Sequence, residues 1–77
     1  MILQILTPVS VEKHQAEAVF LPGASGAFEV LPGHAPIISA LEAGLVRWRD
    51  AGKEESLPLS GGMAMVRNDV ITVCIEG

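Results

Sequence analysis

The chain has 77 residues, of which 49% are hydrophobic and 18% charged, and its formal net charge at pH 7 is −4. This length predicts a single domain spanning residues 1–77. The acidic balance and the five scattered basic residues disfavour nucleic acid as a partner, because phosphate binding requires clustered lysine and arginine.

Short strands separated by turns are predicted along the first half of the chain. Residues 2–6, ILQIL, form an apolar segment that ends before a Thr-Pro pair. Residues 11–20, VEKHQAEAVF, are the nearest candidate for a helix on propensity, but their apolar positions fit a 3.6-residue period poorly. Leu-Pro-Gly occurs at residues 21–23 and again at 31–33, which predicts two similar corners. In each, proline fixes φ and glycine adopts a conformation that is costly for other residues.

The second half of the chain shows clearer strand patterns. Residues 45–50, LVRWRD, alternate, with a valine and a tryptophan on one face and two arginines on the other. Residues 63–66, MAMV, place two methionines on one face. Residues 70–75, VITVCI, are rich in β-branched side chains, and the Asn-Asp pair before them is a plausible turn. Strands at this spacing, with turn signals between them, predict an all-β sandwich or barrel.

The apolar content and the cysteine usage bear on the surroundings of the domain. A chain this short buries only ~60% of the surface of its unfolded state, so some apolar residues are expected outside. On composition alone, an obligate partner and a compact monomer with an ordinary apolar surface are both compatible with this. The lone Cys74 excludes an internal disulfide and indicates a reducing compartment. No run approaches the ~20 apolar residues that span a bilayer, and the N-terminus lacks the basic segment of a signal peptide.

His34, between two proline-containing turns, is the first candidate for chemistry. A general base needs a nucleophile and an orienting carboxylate nearby, and neither spacing nor context supplies them. A metal ligand needs companions, yet His14 is twenty positions away and Cys74 stands alone. The preferred interpretation is that the imidazole binds neighbouring backbone and holds its turn.

Ser25 and Ser60 are the candidate nucleophiles, and both lack the surrounding motif. Neither GASGA nor LSGGM matches the G-x-S-x-G pattern of a nucleophile elbow. PGASG is also too short for a phosphate-binding loop and contains no lysine. The glycines after Ser60 instead predict a turn into a strand, where glycine permits close backbone approach.

Trp48, Met63 and Met65 leave two interpretations open. They line a ligand pocket, or they pack in the core or against a partner, which is the more usual use of a methionine stripe. Cys74 stands among β-branched residues and is predicted to be a small buried apolar group. From the residues alone, the chain is a β-rich, apolar and non-enzymatic domain whose partner is not identified.

Several motifs together resemble the epsilon subunit of F-type ATP synthase. They are LPGASGAFEVLPGHAPIISAL at residues 21–41, LSGG at 59–62 and NDVITV at 68–73, and both LQILTP and EAVFLPG fit the same family. The resemblance runs in register from about residue 2 to residue 76. It implies an all-β fold, the small β-sandwich of about ten short strands that forms the N-terminal domain of that subunit.

The resemblance also implies a function without catalysis. In the family, this domain lies at the foot of the central stalk, packs against the gamma subunit and rests on the ring of membrane-embedded c subunits. Proton flow turns the ring and gamma turns with it, so the domain couples ring rotation to gamma and the catalytic head. The implied location is peripheral to an energy-coupling membrane, held there only through the complex, at the cytoplasmic face of a bacterial inner membrane.

Two sets of interface residues follow from the resemblance. The segment that matches the c-ring contact comprises Ser25, Gly26, Ala27, Phe28 and Glu29. The positions that match the gamma-facing side are Thr7, His34, Ala35, Pro36, Ile37, Ser39 and Ser60. Relatives often carry an acidic or polar residue at the position of Ala27 and glycine at that of Glu29. Since residues 27 and 29 of an extended segment point to the same side, Glu29 is expected to take over a polar contact with the c ring.

Many family members continue into a C-terminal two-helix hairpin that binds ATP in some of them and inhibits hydrolysis when extended. No such segment follows TVCIEG in this sequence, which is either naturally short or a fragment, and in both cases we expect neither ATP nor another cofactor to bind to it. Two alternatives compete with the stalk function: a hydrolase that uses His34 as its base, and a ligand-binding sandwich with a pocket lined by methionine and tryptophan. If the chain is a hydrolase, its activity is lost when His34 is replaced. If it is a ligand-binding module, it contains a concave apolar cavity. The stalk function predicts a filled core and apolar residues on an outer face.

Overall fold

Nine strands in two sheets make up the part of the chain that the computed structural model describes, residues 1–76. The strands are β1 (Ile2–Leu6), β2 (Val11–Gln15), β3 (Ala18–Leu21), β4 (Phe28–Val30), β5 (Ile37–Leu41), β6 (Gly44–Asp50), β7 (Lys53–Leu59), β8 (Gly62–Arg67) and β9 (Val70–Ile75). One sheet has five strands in the order β2-β1-β9-β8-β5, and the other has four in the order β4-β3-β6-β7. All neighbouring strands are antiparallel except β1 and β9, which pair in parallel. The predicted all-β sandwich is confirmed, with nine strands in the described residues.

The possible helix at residues 11–20 does not form. The segment makes β2, a turn and β3, and these two strands belong to different sheets. In β3 three of the four residues are buried. Because helix propensity is a weak preference, the burial of these side chains between two sheets outweighs it.

The core lies between the two sheets, and strand alternation decides which side chains enter it. On β1, Leu3 and Ile5 are fully buried, and on the neighbouring β9 so are Ile71 and Val73. The four-stranded sheet covers them with a matching set that includes Val46. The alternation predicted for residues 45–50 is confirmed, since the valine and tryptophan point inward and the arginines outward.

The predicted Asn-Asp turn joins β8 to β9 as a two-residue hairpin. Asn68 and Asp69 have φ values of 52° and 63°, and the flanking residues Arg67 and Val70 are paired. Positive φ at both central residues is the geometry that matches the twist of the adjoining strands, and asparagine and aspartate tolerate it best after glycine.

Loops at the two ends of the five-stranded sheet position the candidate surfaces. At the first end lie residues 31–36 and 68–69, joined where the Gly33 N–H donates to Asp69 Oδ1 at 3.1 Å. At the second end lie residues 7–10, 23–27 and 60–61. The Ala24 N–H donates to the Ala40 carbonyl at 2.9 Å, which fixes the loop after β3 beside the end of β5.

Candidate interaction surfaces

The five-stranded sheet turns one side away from the core, and we call the side chains that point there the outer face. Cross-strand partners lie on the same side of a sheet, so the register assigns them. Ile38 pairs with Met65 and Ala40 with Met63, while Gln4 pairs with Lys13. The full set is Ile2, Gln4, Leu6, Val11, Lys13, Gln15, Ile38, Ala40, Met63, Met65, Arg67, Val70, Thr72 and Cys74.

The outer face is apolar to a degree that is unusual for an exposed sheet. Ile38 is 72% exposed, Val11 61%, Met63 45% and Met65 44%. A solvated antiparallel sheet normally carries polar side chains on its outer side, and contiguous exposed apolar groups mark interaction sites. Of the two interpretations of the methionine stripe, packing against a partner is therefore the one that this surface favours.

The prediction that Cys74 is buried is wrong. Its thiol is exposed on the outer face, where Cys74 pairs with Met63 and with Leu6. The physical reason is the two-residue period: once Ile71 and Val73 enter the core, residue 74 must point out.

A groove at the first end extends the outer face around its edge. It has a volume of about 410 Å³ and is lined by Pro36, Ile37, Ile38, Met65, Val66 and Arg67. Two residues predicted to face gamma, Pro36 and Ile37, therefore adjoin the outer face. The sequence reasoning missed Ile38, although the alternation in IISAL identifies it once Leu41 is assigned to the core.

His34 lies at the same end and holds its loop. Its Nδ1 donates to the carbonyl of Ala35 at 2.7 Å, and its backbone N–H donates to the carbonyl of Leu31 at 3.2 Å. The predicted structural use of the imidazole is confirmed. One ring nitrogen is occupied by backbone, as expected for a residue that fixes a turn.

The other residues predicted to face gamma lie elsewhere on the domain. Thr7 and Ser60 are at the second end, so the set is divided between the two ends of the sheet. The Thr7 hydroxyl is 2.7 Å from Ser10 Oγ and belongs to a tight turn whose tip is the 94% exposed Val9. Ser39 is on β5, on the opposite side from Ile38, and donates to the Ala40 carbonyl at 3.0 Å. The outer face lies between these two ends of the sheet, and Ser39 points away from it.

The segment predicted to meet the c ring occupies the second end and the start of β4. Ser25, Gly26 and Ala27 are exposed in a turn closed by the Gly26 N–H, which donates to the Gly23 carbonyl at 3.0 Å. Phe28 is different, because its ring is half-buried and packs against the core. A Cβ added to Gly23 would be 2.8 Å from this ring, so the phenyl group holds the loop down.

Glu29 points to the same side as Ala27, as predicted. Both line a shallow depression of about 330 Å³ on the outer side of the four-stranded sheet. In the register Glu29 pairs with Phe20, whose ring lies 4.9 Å from the guanidinium carbon of Arg47. The carboxylate thus stands exposed at the edge of an apolar depression, close to the loop of the second end.

Trp48 is buried and packs against His14, far from the methionines in the register. The two rings are 4.8 Å apart, and Trp48 Nε1 donates to Glu55 Oε2 at 3.1 Å. His14 Nε2 is the one buried side-chain nitrogen or oxygen without a hydrogen bond among residues 1–76. Because Trp48 points inward and Met63 and Met65 outward, the pocket lined by both residue types does not form.

Residues 1–76 contain neither a cluster of metal-binding side chains nor a membrane-spanning helix. No group of three or more His, Cys, Asp or Glu side chains in this part of the chain is placed to hold a metal ion. No helix in the same range is long and apolar enough to cross a membrane.

Fold and surface together define a class of protein: a two-sheet β-sandwich with an exposed, apolar outer face. The family follows from comparison with known proteins. A family model described as the beta-sandwich domain of the ATP synthase delta/epsilon chain matches residues 1–77, and the chain belongs to this family.

Individual relatives agree with the family. The ATP synthase epsilon chain of Desulfitobacterium hafniense is 40% identical over 75 residues, which is 96% of this chain and 57% of the relative. The protein of the same description from Prochlorococcus marinus (strain MIT 9303) is 41% identical over 76 residues, 97% of this chain and 57% of the relative. The chain thus spans somewhat more than half the length of these curated relatives, and the resemblance read from the sequence motifs is confirmed.

Solved structures confirm the fold. A chain in the cryo-EM structure of the Euglena gracilis mitochondrial ATP synthase, OSCP/F1/c-ring in rotational state 1, superimposes with a TM-score of 0.90 at 23% identity, covering 97% of this chain and 49% of that one. A chain in the central stalk and c-ring structure of the Tetrahymena thermophila mitochondrial ATP synthase gives a TM-score of 0.82 at 10% identity, covering 99% and 63%. The sandwich is therefore retained at sequence identities too low to carry detailed function.

Proposed function

We infer that this chain is a non-catalytic central-stalk domain of a proton-translocating F-type ATP synthase. It couples rotation of the c ring to the gamma subunit and the catalytic head. Its place is peripheral to the energy-coupling membrane, at the cytoplasmic face of a bacterial inner membrane, and it reaches that membrane only through the complex. Catalysis is not part of this function.

The observation that carries the proposal is the apolar outer face, considered with the family. Obligate interfaces are large and more apolar than transient ones, and a stalk element must keep its contacts under repeated load. The outer face offers such a surface on a two-sheet sandwich, where every strand is hydrogen-bonded to a neighbour. His34, Ala35, Pro36 and Ile37 at the first end, with Ser39, Thr7 and Ser60, form the proposed gamma-facing set.

The c ring is the proposed partner of the second end. Ser25, Gly26 and Ala27 are exposed there, and Glu29 stands beside them. Phe28 supports this contact by packing the loop onto the core and does not itself project outward. An exposed loop on a firm base, with a carboxylate beside it, suits contact with the ring.

Affinity capture of the tagged chain from membranes of its own organism tests the proposed function. Recovery of both gamma and the c ring, after mild detergent extraction, is the expected result. Recovery of neither subunit, with the tagged chain folded and present in the membrane fraction, would refute the stalk function.

Glu29→Gln is expected to lower ATP-driven proton pumping roughly twofold to fivefold in membranes that carry the assembled complex. The loss of a polar contact of about 1 kcal/mol gives a change of this size. Glu29→Lys should lower pumping further, because it reverses the charge. Pumping is measured by fluorescence quenching in inverted vesicles at equal ATPase activity.

Glu12→Gln is the matched control for Glu29, since it removes an exposed carboxylate from β2 in the other sheet. Coupling at the wild-type level in both Glu29 variants would show that this carboxylate makes no functional contact with the ring.

A further inference from the structure

The charges of the outer face differ from those of the rest of the domain. The chain has nine acidic residues and a net charge of −4, yet the outer face contains none of the nine. Its only ionised side chains are Lys13 on β2 and Arg67 on β8. A negatively charged domain therefore presents one apolar face that carries two positive charges.

These two cations have no ionic partner inside the domain. Neither Lys13 nor Arg67 forms an ion pair among residues 1–76, where carboxylates lie within ion-pair distance only of the N-terminal ammonium, Arg47 and the imidazole of His14. Both side chains are exposed. A partner that covers the outer face must either leave these charges in water at the rim or supply carboxylates to meet them.

Arg67 has a particular position, because it closes one end of the apolar groove at the first end. Ile38 and Met65 form the neighbouring wall of this groove. Its volume of about 410 Å³ accommodates a protruding apolar side chain. An acidic residue next to such a side chain in the partner would then lie beside the guanidinium, and a guanidinium–carboxylate pair can bond through two parallel N–H groups.

We propose that the outer face binds a protein surface with an apolar centre and acidic residues at its rim, and that Lys13 and Arg67 select this partner by charge. The identity of that partner, the gamma subunit, rests on the proposed stalk function. The chemistry of the recognised surface rests on the charges of this chain.

A second copy of the chain is a poorer occupant of the same face. Two outer faces brought together would either bury four cations or leave them at the rim, and in both cases no carboxylate of either face would meet them, since the face contains no acidic residue. Desolvating unpaired charges costs several kcal/mol each when they are well buried. Self-association through this face is therefore disfavoured.

An anionic lipid surface is also a poorer occupant. Interfacial membrane binding uses several basic residues together with aromatic side chains, and the outer face carries two basic residues and no aromatic one. The single tryptophan of the chain, Trp48, is only 5% exposed on the other sheet. The apolar groups of the face are aliphatic and methionine side chains, which is the composition of a protein contact.

The test is the affinity of the 77-residue chain for the gamma subunit of the same organism, measured by surface plasmon resonance. The double variant Lys13→Glu/Arg67→Glu is expected to bind about tenfold or more weakly, chiefly through slower association. Its binding should also lose the decline with added salt that steering by these two charges gives the wild type. Arg49→Glu/Lys53→Glu makes the same change in net charge on the four-stranded sheet and should bind like the wild type.

Each outcome decides between the two proposals. If the wild type and both double variants bind gamma with the same affinity, the stalk function is supported and selection by the charges of Lys13 and Arg67 is refuted. Absence of binding by the folded wild type would overturn the stalk function and, with it, gamma as the partner of this face. If the wild type sediments as a dimer and Lys13→Glu/Arg67→Glu disrupts that dimer, the occupant of the outer face is a second copy of the chain. If vesicles of anionic phospholipid bind the chain as strongly as gamma does, the occupant is a lipid surface.

Discussion

Gly62→Ala is expected to destabilise the domain by about 4 kcal/mol or more, while the neighbouring Gly61→Ala costs about 1–3 kcal/mol, from backbone strain at its positive φ alone. A Cβ at Gly62 would overlap the Cys74 carbonyl oxygen, far inside the sum of their van der Waals radii, and this oxygen is backbone of a paired strand that cannot move aside. A Cβ at Gly61 meets its nearest atom, the Leu41 carbonyl oxygen, at an ordinary 3.6 Å. A domain of this size has a total stability of roughly 4–12 kcal/mol, so Gly62→Ala is expected to leave little folded protein.

The two glycines form a matched pair for this experiment. Their φ values are 156° and 159°, so any backbone cost of replacing glycine is shared and cancels in the difference. Urea unfolding followed by the fluorescence of Trp48, the single tryptophan, measures both variants. Free energies of unfolding within 1 kcal/mol of each other would show that β8 and β9 separate easily and that the close approach does not stabilise the fold.

The LSGG sequence predicts that two backbone segments approach closely here, but it does not identify which glycine makes the approach. Paired glycines before an apolar run indicate a turn where backbones come near each other. Which glycine is needed depends on the strands on either side, and Gly62 pairs with Ile75 on one side and Leu41 on the other. Those pairings join residues far apart in sequence, so local pattern does not contain them.

The side of the sheet that each side chain faces was predicted correctly where the two-residue period was used. It was predicted wrongly where residue type was used instead. In residues 45–50 the period correctly placed Val46 and Trp48 inside. Cys74 is predicted to be buried from its β-branched neighbours, and cysteine is a commonly buried residue type. The same period, continued from Ile71 and Val73, places it outside.

The candidate surfaces needed the topology as well as the pattern. Motif resemblance gave two sets of residues but not their arrangement. The parallel pairing of β1 with β9 puts Thr7 at the second end, opposite His34 at the first. The same topology brings Ile38, Met65 and Met63 together as a continuous surface between those ends. The charge pattern of that surface appears only after the strands are ordered.

Ile71→Ala is expected to lower stability and Ile38→Ala to weaken binding to gamma, because the two isoleucines lie on opposite sides of one sheet. Ile71 is fully buried on β9, and its truncation should lower the free energy of unfolding by about 2–5 kcal/mol. Ile38 is 72% exposed on β5, and its truncation should change stability by less than about 0.5 kcal/mol. If the outer face is covered by gamma, Ile38→Ala should instead weaken binding about tenfold, as loss of a central apolar contact does.

Comparing Ile71→Ala with Ile38→Ala separates an effect on folding stability from an effect on binding to gamma. Stability is measured by urea unfolding, and affinity for gamma is measured at a temperature where both variants remain folded, as shown by circular dichroism. Folded Ile71→Ala should bind gamma like the wild type, since its side chain does not reach the surface. Wild-type affinity in Ile38→Ala would mean that gamma leaves the centre of the outer face uncovered. The apolar side chains there would then lack the partner that accounts for their exposure, and the proposed interface would have to be confined to the loops at the ends of the sheet.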